Sequence, residues 1–135
     1  MTDAQSVEKP PAGIPMVRAI AMPADANANG DIFGGWLMSQ MDLAASNLAG
    51  RTSHGRCATV AVDAMTFLRP VKIGDEVSVY CELLSTGRTS MKISVEAWRR
   101  ARIGTEEYRV TKAVFTFVAI DAEGKSRPIT EPSNT

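Results

Sequence analysis

The sequence is poor in the residues from which hydrolytic and redox centres are most often built. It holds one histidine, His54, and two cysteines, Cys57 and Cys81, in 135 residues. A zinc site draws three or four N and S ligands at set spacings, and this inventory does not supply them, so no metal is expected. A Ser-His-Asp triad would have to use His54, which sits in a polar turn between Ser53 and Arg56, and no G-x-S-x-G elbow is present. The stretch GDIFGG is neither a dinucleotide fingerprint nor a P-loop, because the strand–turn spacing and the lysine are missing. Neither sign of charge prevails: Lys plus Arg and Asp plus Glu are 15 each. Binding nucleic acid without regard to sequence needs a basic excess, so that class is set aside, although a local basic patch remains open. No apolar run reaches membrane-spanning length, and no charged-then-apolar leader opens the chain. The cysteines lack C-x-x-C spacing and read as buried thiols. These absences lead us to expect a soluble cytoplasmic protein without cofactor, nucleic-acid or membrane partner. With zero net charge, solubility also depends on burying surface in an oligomer.

What is present is one domain with a core of useful size, organised around NANGDIFGGWLMSQMD, from Asn27 to Asp42. Gly34 and Gly35 stand where a loop becomes a helix. Leu37, Met41, Ala44, Ala45 and Leu48 then fall at helical spacing and give one apolar, closely packable face. The helix is expected to run to about Ala49, with Gly50 as its C-terminal glycine. Asp42 lies in the middle of this helix with Met38 and Ala45 as neighbours, and a carboxylate there is either costly or useful.

The rest of the chain reads as strands. Residues 1–14 are polar, carry Pro10 and Pro11, and are expected to be disordered. Pro15 to Met22 forms a short first strand, and Pro23 to Asp31 a loop rich in turn formers. After the helix, Thr59 to Leu68 is apolar on both sides apart from Asp63, as in a central strand. Glu76 to Leu84 and Ser90 to Arg100 alternate cleanly, and Tyr108 to Ile120 is a long last strand. Glycine-bearing turns at Ser85 to Arg88 and Ala101 to Glu106 join them. On this alternation Trp98 faces outward and marks an oligomer contact. The order strand, helix and four strands implies an α+β hotdog fold: a curved antiparallel β-sheet wrapped around one long central helix, an antiparallel meander with the helix on one face, spanning residues 15–127, with 128–135 as a flexible tail.

Met22 to Asp42, Thr59 to Asp75, Gly87 to Glu96 and Thr111 to Asp121 together resemble bacterial acyl-CoA thioesterases of the YciA type. The signature D-x-N-x-x-G-D-x-F-G-G-W-x-M-x-x-M-D is present throughout. The resemblance spans about nine tenths of the chain, from Arg18 to Arg127, and itself implies the hotdog fold. It implies hydrolysis of thioesters between coenzyme A and acyl chains, with Asp42 as catalytic carboxylate, Asn27 as the loop asparagine, Gly34 and Gly35 as the helix-start pair, and Gly87, Arg88, Thr89 and Ser90 as the segment receiving the coenzyme A diphosphate. It also implies a homodimer that pairs two helices and shares its active sites, with dimers assembling into a homohexamer.

The residues suit that chemistry. Helix N-termini offer free N–H groups and a positive partial charge, and two glycines let a carbonyl come close. Gly35 N–H is the candidate oxyanion donor, worth roughly 3 kcal/mol in a preorganised site. Asp42 lies two turns further on, about 10 Å by helix rise, so two paired helices suit the geometry better than one. Arg88 is the first candidate for coenzyme A phosphates, and Arg56, Arg69 and Arg127 are weaker ones. Plainer readings stand beside these: Asp42 as a salt-bridged helix carboxylate, Asn27 as a turn former, the glycines as a packing device, Arg88 as a solvated hairpin arginine, Asp63 in a structural ion pair. Two other functions fit the pattern less well. A hydroxyacyl-thioester dehydratase needs a histidine beside its carboxylate, and a non-catalytic acyl-CoA binding module would hold product without releasing thiol.

Overall fold

The computed structural model describes residues 8–130. In chain order it contains β1 (Val17–Ile20), a 3-10 turn (Pro23–Asp25), α1 (Gly34–Ser53), β2 (Cys57–Val62), β3 (Glu76–Thr86), β4 (Ser90–Arg100) and β5 (Glu107–Ala119). All pairings are antiparallel, in one five-stranded sheet of order β1-β3-β4-β5-β2. The helix touches every strand. This is the hotdog arrangement expected from the sequence.

Packing explains why the helix carries small residues. Leu37, Met41, Ala44, Ala45, Ala49 and Ser53 form its buried stripe. Across from it Val77, Val79, Met91, Ile93, Val95, Phe115 and Phe117 point inward on alternate positions of β3, β4 and β5. Alanines at the middle let the sheet approach, while Leu37 and Met41 each contribute about 2 kcal/mol of burial.

Four expectations are corrected. The helix does not stop at Gly50; it runs to Ser53, and His54 takes the left-handed cap at φ 57°. Gly50 instead lets the chain fold back, its carbonyl accepting the Gly55 N–H at 3.1 Å. Thr59 to Leu68 is not a central strand: β2 ends at Val62 and lies at the sheet edge beside β5. Its double-sided apolarity therefore reflects an open edge rather than two covered faces. The strands after the helix are also not one meander, because β2 pairs with β5 and the chain then crosses to β3. Trp98 is buried rather than exposed, its indole N–H donating to Glu96 Oε1 at 3.1 Å. The outer face at this end has its own cover: Ser78 and Tyr80 are buried there too, and Arg18 Nε donates to Ser78 Oγ at 3.0 Å.

Contacts reach beyond the expected boundaries of 15 and 127. Pro11 and Ala12 line a groove on the outer face with Tyr80, Ser94 and Glu96. Glu8 pairs with Arg69 and Arg109. At the other end, Ile129 packs on the core and its N–H donates to the Arg88 carbonyl at 3.0 Å. Residues 1–7 and 131–135 of the two expected tails lie outside the described residues.

Candidate active site

The loop before α1 is built by Asn27. Its Oδ1 accepts the N–H groups of Asn29 and Asp31 at 2.9 and 3.1 Å, closing an Asx-type turn. Ile32 N–H then donates to Val71 and Phe33 N–H to Asp25, which fixes the approach to the helix. The Asn27 carbonyl oxygen thus works inside its own loop, and only the amide NH2 is left to face a ligand.

Phe33 is the helix N-cap, extended and without a side-chain cap. The N–H groups of Gly34 and Gly35 have no acceptor among the described residues. The two glycines differ in surroundings. A Cβ on Gly34 would meet the Phe67 ring at 3.2 Å, whereas one on Gly35 would meet nothing within 4 Å. Gly34 packs, and Gly35 faces open space. Beside them a pocket of about 180 Å³ is lined by Ile32, Phe33, Leu37, Phe67, Arg69 and Val110.

Asp42 lies on the same helical stripe as Gly35, two turns on. No basic residue pairs with it among the described residues, so the salt-bridge reading fails. Its partner is Thr59, whose hydroxyl donates to Asp42 Oδ1 at 2.6 Å. A register shift between Thr59 and Ala61 leaves Val60 unpaired on β2, the kind of bulge that re-aims a neighbouring side chain. Asp42, Thr59, Met38, Ser39, Val62 and Phe115 line an open cleft of about 270 Å³. Asp42 Oδ2 has no hydrogen-bond partner among the described residues and is free to meet a reactant. Cys57 sits nearby on β2; burial pushes its thiol up, Arg127 opposes this and the Asp42 charge adds to it. Thr59 is the site residue that sequence reasoning missed: one threonine in a β-rich run carries no signal until the helix is laid against it.

The phosphate candidates separate. Gly87, Arg88, Thr89 and Ser90 form the exposed β3–β4 turn, closed by Gly87 N–H to the Ser90 carbonyl at 2.8 Å. Arg88 has no ion-pair partner among the described residues. The Thr89 carbonyl accepts the Ala119 N–H at 2.8 Å, which docks the turn on the end of β5. Arg127, a weaker phosphate candidate from the sequence, is placed as a structural clamp. It is buried, and its guanidinium donates to the carbonyls of Ser53, Arg56 and Ile120 at 2.9–3.1 Å, holding the helix end to the last strand. Arg56 is likewise committed, to the carbonyls of Asp121 and Ala122. Arg69 lies at the opposite end, donating to the Arg109 carbonyl and pairing with Glu8. Asp63 is exposed and makes no ion pair among the described residues. No group of three or more His, Cys, Asp or Glu gathers at metal-binding distance among the described residues.

The thioesterase superfamily model matches residues 29–105. An acyl-CoA thioester hydrolase YciA of Salmonella typhimurium is 48% identical over 128 residues, covering 92% of this chain and 96% of that one. The solved structure of an alanine mutant of a hexameric broad specificity acyl-coenzyme A thioesterase has a TM-score of 0.82 at 51% identity, covering 87% of this chain and 86% of that chain. A hexameric hotdog fold thioesterase of Campylobacter jejuni has a TM-score of 0.80 at 38% identity, covering 86% and 90%.

Proposed function

This chain belongs to the thioesterase superfamily, among its YciA-type members, and from that premise we propose that it hydrolyses acyl-CoA to the free acid and coenzyme A. The observation that carries the reading is the shared stripe of α1, with an open amide end at Gly35 and an unpaired carboxylate at Asp42. The thioester carbonyl oxygen sits against Gly35 N–H. Asp42 Oδ2 either takes a proton from the attacking water or attacks the carbonyl itself. In the first route a C–O bond forms, the C–S bond breaks, and the proton passes by way of Asp42 to the departing thiolate. In the second Asp42 Oδ2 bonds to the carbonyl carbon as the C–S bond breaks and the thiolate leaves, and water then splits the anhydride into the free acid and the Asp42 carboxylate, its proton going to the thiolate; label from oxygen-18 water enters the enzyme in a single turnover only there. Preorganised amide donors supply much of the stabilisation in either case.

One helix cannot serve both ends of this reaction, since seven residues separate Gly35 from Asp42 by about 10 Å. Two α1 helices packed antiparallel bring the Gly35 end of one protomer to Asp42 of its partner. The surface supports such a pair: Leu43 and Val60 are 61% and 56% exposed beside Asp42 and Thr59. Solved relatives are hexameric, and we take the same assembly of dimers for this chain. The Gly87–Ser90 turn, with Arg88 free, receives the coenzyme A diphosphate. The broad specificity of a solved relative favours a wide acyl range here. Unpaired cysteines fit a reducing cytoplasm, and no helix of the described residues is long and apolar enough to cross a membrane.

The dehydratase reading lacks its histidine, because His54 caps the far end of α1. A thiol-trapping assay over a panel of acyl-CoA lengths tests the rest. Free coenzyme A should appear with every substrate that fits and be lost by a factor of about 10²–10⁴ in Asp42→Asn. Tight binding without thiol release would favour a binding module instead.

A further inference from the structure

At the end of the sheet away from the Gly87–Ser90 turn, two guanidinium groups flank one ring, and a third shares a carboxylate with one of them. The Arg69 and Arg99 Cζ atoms lie 5.4 and 5.5 Å from the centroid of Tyr108, and Arg109 follows it on β5. Glu8 bridges two of them, with Oε1 at 3.4 Å from Arg69 and Oε2 at 3.1 Å from Arg109. The other carboxylates here have partners of their own. Asp75 accepts the Lys72 N–H and pairs with Arg99 at 3.8 Å, and Glu106 accepts a hydrogen bond from the Tyr108 hydroxyl. The Nε–H groups of Arg99 and Arg109 are buried without an acceptor.

A guanidinium holds an oxyanion best by offering Nε–H and Nη–H side by side. Buried N–H groups without acceptors are uncommon and costly. One carboxylate cannot satisfy this cluster, because each Glu8 oxygen reaches a single Nη. A phosphoryl group has more oxygens and more charge and can answer more of these donors. Glu8 sits in a polar, proline-bearing segment, and partly exposed ion pairs such as its own are readily exchanged.

We propose that Arg69 and Arg109 form a second anion site, for a phosphomonoester or inorganic phosphate, with the Glu8 carboxylate as its built-in occupant. The site is separate from the coenzyme A turn: Arg99 lies nine positions along β4 from Ser90, about 30 Å by strand rise. It stands whether or not the thioesterase reading does. Entry of the anion displaces Glu8 and releases the start of the described chain from the sheet.

The test is calorimetric titration of the full chain with inorganic phosphate, in an Arg88→Ala background that silences the turn. Glu8→Gln should tighten phosphate binding at least threefold, because the competitor is gone, and Arg109→Ala should abolish it. Glu8→Gln removes one charge from a partly exposed side chain, so it keeps the test decisive even if Arg109→Ala fails to fold. Equal affinity with and without Glu8 overturns the proposal, as does binding that persists in folded Arg109→Ala. Given the expected result, competition by coenzyme A but not by dephospho-coenzyme A assigns the anion to a phosphomonoester, and competition by neither assigns it to free phosphate.

Discussion

The Thr59 hydroxyl donates a hydrogen bond to Asp42 Oδ1 at 2.6 Å, tying the edge strand to the middle of the helix. The contact fixes which carboxylate oxygen is occupied and which is presented to the cleft. It also joins two consecutive elements, α1 and β2, beside a bulge at Val60.

Thr59→Val keeps the shape and removes the donor. We expect kcat to fall about tenfold, equivalent to ~1.4 kcal/mol of barrier, with little change in thermal stability. Thr59→Ser should recover most of the loss. Steady-state kinetics beside a melting curve separate this from a packing defect, in which both would fall together.

The two helix-start glycines should behave differently. Gly35→Ala places a Cβ in open space, so the fold holds, while the carbonyl is kept from the amide and kcat falls by about tenfold or more. Gly34→Ala presses on Phe67, a half-exposed ring, and should cost stability before it costs rate. Melting temperatures and kcat of the two variants check the contrast.

Arg127→Ala removes a buried cation that satisfies three backbone carbonyls. About 3 kcal/mol of stability should be lost, since hydrogen bonds from charged groups are individually stronger than neutral ones. At temperatures where the variant is folded, KM for acyl-CoA should stay near its original value. A large KM effect with normal stability would return Arg127 to the list of phosphate ligands.

Cys81 gives a pH signature. Burial pushes its thiol up to about 12 from 9.0. Between those values the unfolded chain loses the proton first, so the folded state binds more protons and stability falls as pH rises from 9 to 12. Below pH 9 the cysteine leaves stability independent of pH. Denaturant midpoints of the parent and Cys81→Ala across that range should converge as pH rises if Cys81→Ala starts lower. Alkylation of Cys81 in the folded chain should be slow at pH 8.

The signature around Gly34, Gly35 and Asp42 was legible because each residue has a local reason: a helix start that lacks side chains, and a carboxylate set among apolar neighbours. Strands β3, β4 and β5 were legible because one buried face imposes alternation. What stayed hidden is what depends on partners distant in sequence. The β2 edge position reads like a central strand, because an apolar face left open in the protomer resembles one already covered. Trp98 looked exposed because alternation reports the face but not what covers it. Nothing local announces the clamp that Arg127 makes on carbonyls from the helix end and two connections. Glu8 lies in a segment whose composition argues for disorder, and its order comes from two arginines far along the chain.

The shared active site is tested most directly by mixing two inactive variants, Asp42→Asn and Gly35→Pro. Proline removes the amide proton at a position in the first helical turn where it is tolerated. If each site joins Gly35 of one protomer to Asp42 of the other, dimers formed from equal amounts hold one intact site in every mixed pair, and co-refolding restores roughly a quarter of the parent rate. If the mixture stays as inactive as its components, with mixed dimers demonstrated by mass, the two groups act within one chain and the reading is contradicted.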